Sequence, residues 1–204
     1  MLPTEPPIIL DADFVSSFAW VNRLDILEFF YSKRMVILEE VLEELKRVPH
    51  LASRVEESMR NGHIRNEVMF ANSPEALELA KLLETGRYGS GEASCMAYVA
   101  HREGIMASNN LADVKAFCIK NKKQLLTTAD IMCQANTAGY VSVEEADRIW
   151  IGMLAKQEET SRIVIFSVSI DYKKRGELEY LIRIIADTST VSGVNLVKVL
   201  GTVK

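Results

Sequence analysis

Residues 104–117, Gly-Ile-Met-Ala-Ser-Asn-Asn-Leu-Ala-Asp-Val-Lys-Ala-Phe, change character in the middle. Ile105–Ala107 is a short apolar run, the pattern of a strand buried on both faces. Leu111 to Lys120 then reads as a helix, and the polar Ser108-Asn109-Asn110 forms the junction. The same succession recurs along the chain. Ile8–Leu10 ends at Asp11 and leads into helical spacing from Phe14 to Tyr31, where Phe18, Val21, Leu24, Leu27 and Phe30 make a broad apolar face. Met35–Leu38 feeds a helical stripe over 39–47, a polar helix follows around 50–61, and 63–70 is strand-like.

Asn72-Ser-Pro-Glu opens a helix reaching Glu84, with Ser73 as cap and Pro74 in the first position. Further helices are expected over 91–103, 129–138 and 143–157, the last behind a Ser142-x-x-Glu145 capping box, with a strand at 124–127. Short strands alternating with helices predict an α/β sandwich with a mainly parallel sheet. Composition changes after Glu158. Strand-like 162–170, helix-like 177–186 and strand-like 195–203 suggest a C-terminal β-α-β extension, so the domains are read as 1–158 and 159–204.

With 204 residues, 48% of them apolar, the chain can bury a full core. A formal net charge of −4 gives no overall basic field, so nucleic-acid binding would have to use local patches. Cys95, Cys118 and Cys133 have no CxxC spacing, are odd in number and sit among apolar residues, as buried thiols in a reducing compartment do. The first ten residues lack a signal peptide's basic flank, and no apolar run reaches bilayer length, which points to a cytoplasmic protein without a membrane partner. His50, His63 and His101 are scattered without zinc-ligand spacing.

In open α/β sheets ligands collect beyond the carboxyl ends of parallel strands. Asp11 and Asp13 follow the first strand, Glu44 lies in the helix after the second, Glu92 starts a helix, and Asn109, Asn110 and Asp113 follow Ala107. Converging carboxylates repel one another unless a cation neutralises them, and hard oxygen ligands suit Mg²⁺ or Mn²⁺. Each has a plainer explanation: Asp11 and Asp13 as helix-initiating acids, Glu44 as part of a solvated acidic face, Glu92 as a first-turn acid beside a Ser90 cap. Gly86, Gly89 and Gly91 match neither a phosphate loop nor a dinucleotide fingerprint and read as a flexible lead into a helix.

The segments IILDADFVSSFAWVNRLDILEFF, MVILEEVLEEL, GSGEASCMAYVA and GIMASNNLADVKAF, in this order over about residues 7–157, resemble the PIN-domain nucleases, in particular the branch containing toxin ribonucleases of toxin–antitoxin pairs. The resemblance implies a PIN-like three-layer sandwich and a metal-dependent endoribonuclease that hydrolyses RNA. It assigns Asp11, Glu44 and Glu92 as ligands of Mg²⁺ or Mn²⁺, with Asn109 or Asp113 as a weaker fourth partner. It also implies RNA and a cognate antitoxin protein as partners, and, together with the unpaired strands of the tail, a homodimer. Two departures stand out. Asp13 replaces the family's usual Ser or Thr and reads as a helix cap in preference to a ligand. Asn109-Asn110 replaces a common aspartate pair: Asn110 is accounted for as the cap of the following helix, and Asn109 takes the acid's place. A catalytically weakened PIN-like module that binds nucleic acid or protein is therefore the alternative. A nucleotide-binding α/β protein is a third reading, disfavoured by the absent phosphate loop.

Overall fold

Five short strands, β1 Ile8–Leu10, β2 Met35–Leu38, β3 Ile64–Glu67, β4 Ile105–Ala107 and β5 Leu125–Leu126, form one sheet in the order β3-β2-β1-β4-β5. All the pairings are parallel. The structure is a computed structural model, and it describes residues 5–155. The expected extension at 159–204 lies outside the described residues. Two units divide the chain, Met1–Ile131 and Met132–Lys204, and the sheet belongs to the first.

Parallel pairing explains the continuous apolar runs. Every residue of β1 and β2 is buried, as a strand covered on both faces requires. A side chain such as Ile9 or Ile37 gains about 1.5–3 kcal/mol from full burial. Between the strands run α1 Ala12–Trp20, α2 Leu24–Tyr31, α3 Glu39–Lys46, α4 Pro49–Arg60, α5 Pro74–Glu84, α6 Ser90–His101 and α7 Leu111–Lys120. α6 packs on β1, β2, β4, α3 and α5, which places its N-terminus among the central elements.

The single helix expected over 14–31 is two. Asn22 adopts φ +57°, and the N–H groups of Asn22 and Arg23 donate to Ala19 O (3.2 Å) and Phe18 O (2.9 Å). This is a Schellman ending, with Asn in the left-handed position that it tolerates better than most residues. Arg54 adds Nη1 donation to the carbonyls of Ala19 and Trp20, the latter at 3.4 Å. The apolar spacing continues through this break, so periodicity alone conceals it.

β3 stops at Glu67 instead of continuing to Phe70. Its ladder partner β2 ends at Leu38, which is paired with Glu67, so no neighbour continues the sheet and Val68 and Phe70 are exposed. The Ser73 cap is as read, its hydroxyl accepting from Ala76 N at 3.2 Å. Cys95 and Cys118 are buried, whereas Cys133 is only half-buried.

In the second unit, α9 Val143–Ala155 begins behind Ser142, whose hydroxyl accepts from Glu145 N at 3.1 Å. Gly139 turns the preceding chain at φ +74°, and the Asn136 side chain donates to Val141 O at 3.1 Å. α8 Thr128–Thr137 spans the division between the units. No helix among the described residues is long and apolar enough to cross a membrane.

Candidate functional site

β1 and β4 are neighbours, yet the chain leaves β1 for β2 and leaves β4 for β5, in opposite directions across the sheet. Strand order therefore reverses between them, and a crevice at their carboxyl ends is the expected ligand position. Asp11 follows β1, and Ser108-Asn109-Asn110 follow β4.

Asp11 is only 5% exposed. Its Oδ1 accepts from Ala12 N and its Oδ2 from the Ser108 hydroxyl, both at 2.8 Å. Burial raises its pKa to about 6; the Ser108 bond pulls the other way, and the charges of Asp13 and Glu44 add to the rise. Asp11, not Asp13, takes the N-cap position of α1, while Asp13 lies exposed in the first turn. The cap reading given to Asp13 is corrected accordingly: the residue that ends the strand also begins the helix.

Glu92 is half-buried in the first turn of α6, and its pKa is raised to about 7. Burial is the main cause, followed by the charge of Asp11; Asp113 and Asp13 push the same way. The Asn110 amide opposes them, donating from Nδ2 to Glu92 Oε1 at 2.7 Å. The charge of Asp11 at the end of β1 thus reaches Glu92 at the start of α6.

Glu44 points to the same region and serves a further purpose. Its Oε1 accepts from Gly91 N at 2.7 Å and from Ser90 Oγ at 3.1 Å. The N-cap position of α6 is held by Gly89, which has no side chain, so Glu44 supplies from another helix the acceptor that α6 lacks locally. Ser90 is the first helical residue and not the cap, and Glu44 is not on a solvated face. Nor is Gly91 a loop residue: a Cβ there would stand 2.8 Å from Glu44 Oε2 and 2.9 Å from Cδ. Glycine is what lets the carboxylate sit against the helix.

The two asparagines divide their work differently from the expectation. Asn109 turns away toward α8, its Oδ1 accepting from Thr128 N at 3.0 Å. The carbonyl oxygen expected to face a metal is engaged there, beside a Thr127/Asp130 capping box that the sequence reading overlooked. Asn110 does cap α7, its Oδ1 accepting from Asp113 N at 3.4 Å. Its Nδ2 in addition links Glu92 to Asp113 Oδ2, the latter at 3.2 Å.

Asp113 therefore faces this cluster, but Arg87 holds it. Arg87 Nε donates to Asp113 Oδ1 at 2.7 Å and Nη2 donates to the same oxygen. That pair keeps the Asp113 carboxyl below its ordinary pKa. Arg87 is 58% exposed and lies over the Tyr88 ring at 5.4 Å, a cation at the rim of an acidic mouth. Ser108 and Arg87 were not singled out as site residues in the sequence. Ser108 had only one signal, a small hydroxyl between a buried strand and a polar junction.

Among the described residues, no three His, Cys, Asp or Glu side chains are grouped closely enough to hold a metal ion between them. The donor chemistry at Asp11 and Glu92 nevertheless fits Mg²⁺ or Mn²⁺, since such ions bind through one or two carboxylates and keep most of their waters. Burial is the first cause of the raised pKa of both, so a cation bound there would favour their charged forms. Compared with known proteins, the chain matches no family model, no curated protein and no solved structure.

Proposed function

We propose that the chain is a Mg²⁺- or Mn²⁺-dependent endoribonuclease of PIN type that hydrolyses RNA phosphodiester bonds. The observation that carries this reading is the buried Asp11 carboxylate beyond β1 and β4, where strand order reverses, held there by Ser108 and near enough to Glu92 for its charge to be felt. Asp11 and Glu92 would hold the ion. When bound, a divalent cation supplies a lowered pKa for an attacking water and positive charge against the phosphodiester. Ser108 fixes the Asp11 carboxylate, Asn110 fixes Glu92, and Glu44 anchors the end of α6 that presents Glu92. Arg87, exposed beside Asp113, would be the cation to meet a backbone phosphate.

In this reading the protein works in the cytoplasm as a homodimer, and a toxin role brings a cognate antitoxin as partner. The toxin role and the antitoxin rest on the resemblance of the quoted motifs, the cytoplasmic location on the number and spacing of the cysteines and the character of the first ten residues, and the homodimer on the resemblance together with the strand-like tail. The test is cleavage of a labelled single-stranded RNA with added Mn²⁺, by the full chain and by Asp11→Asn. Cleavage that Asp11→Asn abolishes is expected; no cleavage, together with no Mn²⁺ binding dependent on Asp11, rejects the proposal.

A second reading is favoured by the engagement of Glu44 with α6, of Asp113 with Arg87 and of Asn109 with α8. With these donors occupied, the chain would be a weakened PIN-like module that binds nucleic acid or protein without cutting. RNA binding unaffected by chelation, in the absence of cleavage, distinguishes it.

A further inference from the structure

Two carboxylates that approach each other repel, and between Glu92 and Asp113 the neutral amide of Asn110 supplies hydrogen-bond donors. Both hydrogens of its Nδ2 are used, one on Glu92 Oε1 and one on Asp113 Oδ2, while Oδ1 accepts from Asp113 N. The orientation follows from the contacts themselves: a flipped amide would turn its oxygen toward two carboxylates and its nitrogen toward an N–H donor. Arg87 closes the other oxygen of Asp113. An oxygen-seeking cation approaching between Glu92 and Asp113 would meet N–H donors instead of lone pairs.

We infer that Asn110 is a built-in substitute for a cation, which lets this end of the fold form without metal and keeps Asp113 out of any ion's coordination. A bound ion would then be shared by Asp11 and Glu92 alone. This deepens the metal-dependent reading and rests on it for the identity of the ion. Replacing Asn110 by Asp keeps an acceptor for the α7 cap, removes both donors, and sets a third charge beside Glu92 and Asp113.

The experiment is thermal unfolding of the full chain, as wild type, Asn110→Asp, Asn110→Ser and Asn109→Asp, in EDTA and across a MnCl₂ series. In EDTA, Asn110→Asp is expected to melt several degrees below wild type. Mn²⁺ should recover that loss at a concentration at least ten-fold lower than any that shifts wild type. Asn110→Ser keeps a cap without adding charge, so it should lose less in EDTA and respond to Mn²⁺ between the other two; it also serves if Asn110→Asp does not fold. Asn109→Asp keeps its acceptor for Thr128 and should behave as wild type.

The inference is overturned if the Asn110 variants respond to Mn²⁺ no more than wild type, or if Asn109→Asp responds as strongly. The readout is stability, so it separates from the nuclease reading. Active wild type with unresponsive Asn110 variants removes this inference alone. Responsive variants with a wild type that never cleaves RNA remove the other.

Discussion

Replacing Gly91 by Ala places a methyl group where the Glu44 carboxylate sits. The added Cβ would lie 2.8 Å from Oε2 and 2.9 Å from Cδ, distances that real contacts essentially never show, and 3.0 Å from Oε1. The obstructing atoms are the end of a flexible side chain, so Glu44 withdraws and the helix backbone stays. What is lost is the charged acceptor for Gly91 N and Ser90 Oγ, and a hydrogen bond to a charged group contributes about 1.5–3 kcal/mol. Alanine returns about 0.5–1 kcal/mol over glycine within a helix. The net expectation is a destabilisation of about 1–2 kcal/mol, measured by urea unfolding. The sign should reverse in a Glu44→Ala background, where the carboxylate is already gone and only alanine's helix preference remains. Such a cycle isolates the pair, since residues in contact depart from additivity. A Gly91→Ala protein that is more stable than wild type, or one whose change is the same with and without Glu44, would refute the reasoning.

Two other expectations concern charge. Asp11 and Glu92 have folded pKa values raised to about 6 and about 7 from ordinary values of 3.8 and 4.5, so the folded state keeps protons that the unfolded chain releases. Their contribution is fully present below the ordinary values and is lost as pH rises through about 6 and then about 7; melting temperatures across pH 4.5–8.5, a window set to bracket roughly those two values, should fall through it. Asp11→Asn and Glu92→Gln should each flatten their own part of the curve, and Ser108→Ala, which removes a bond that lowers the Asp11 pKa, should move the first step upward. Finally, Arg87→Ala should weaken RNA binding in EDTA and reduce the slope of log affinity against log salt by about 0.7, the amount for one phosphate contact on a single strand; an unchanged slope excludes that contact.

The strands and most helix starts were legible because their causes are local. An apolar run such as Met35–Leu38 declares burial, and Ser73-Pro74 carries its own cap and first-turn signal. What escaped depends on distant partners. Glu44 looked like one more acid on a charged helix, because its acceptor role is defined by an N–H 47 residues away. The neighbouring asparagines are chemically identical, and only the start of α8 on one side and Glu92 on the other decide which of them reaches the acids. That Asp11 follows a strand at the sheet's switch point was readable from the alternation of strands and helices. Which oxygens remain available was not, because that is settled by side chains such as Arg87 and Ser90.

The borrowed cap of α6 also bears on the order in which the chain can acquire structure during synthesis. Glu44 leaves the ribosome well before Gly91, so the residue that caps the glycine-led helix has been made by the time that helix is. A peptide spanning only 86–104 would have to begin its helix without that acceptor. A helix in the second half of the described chain thus depends on an acceptor from the first, and a circular permutant that begins at α5 would have to make the helix before the residue that caps it.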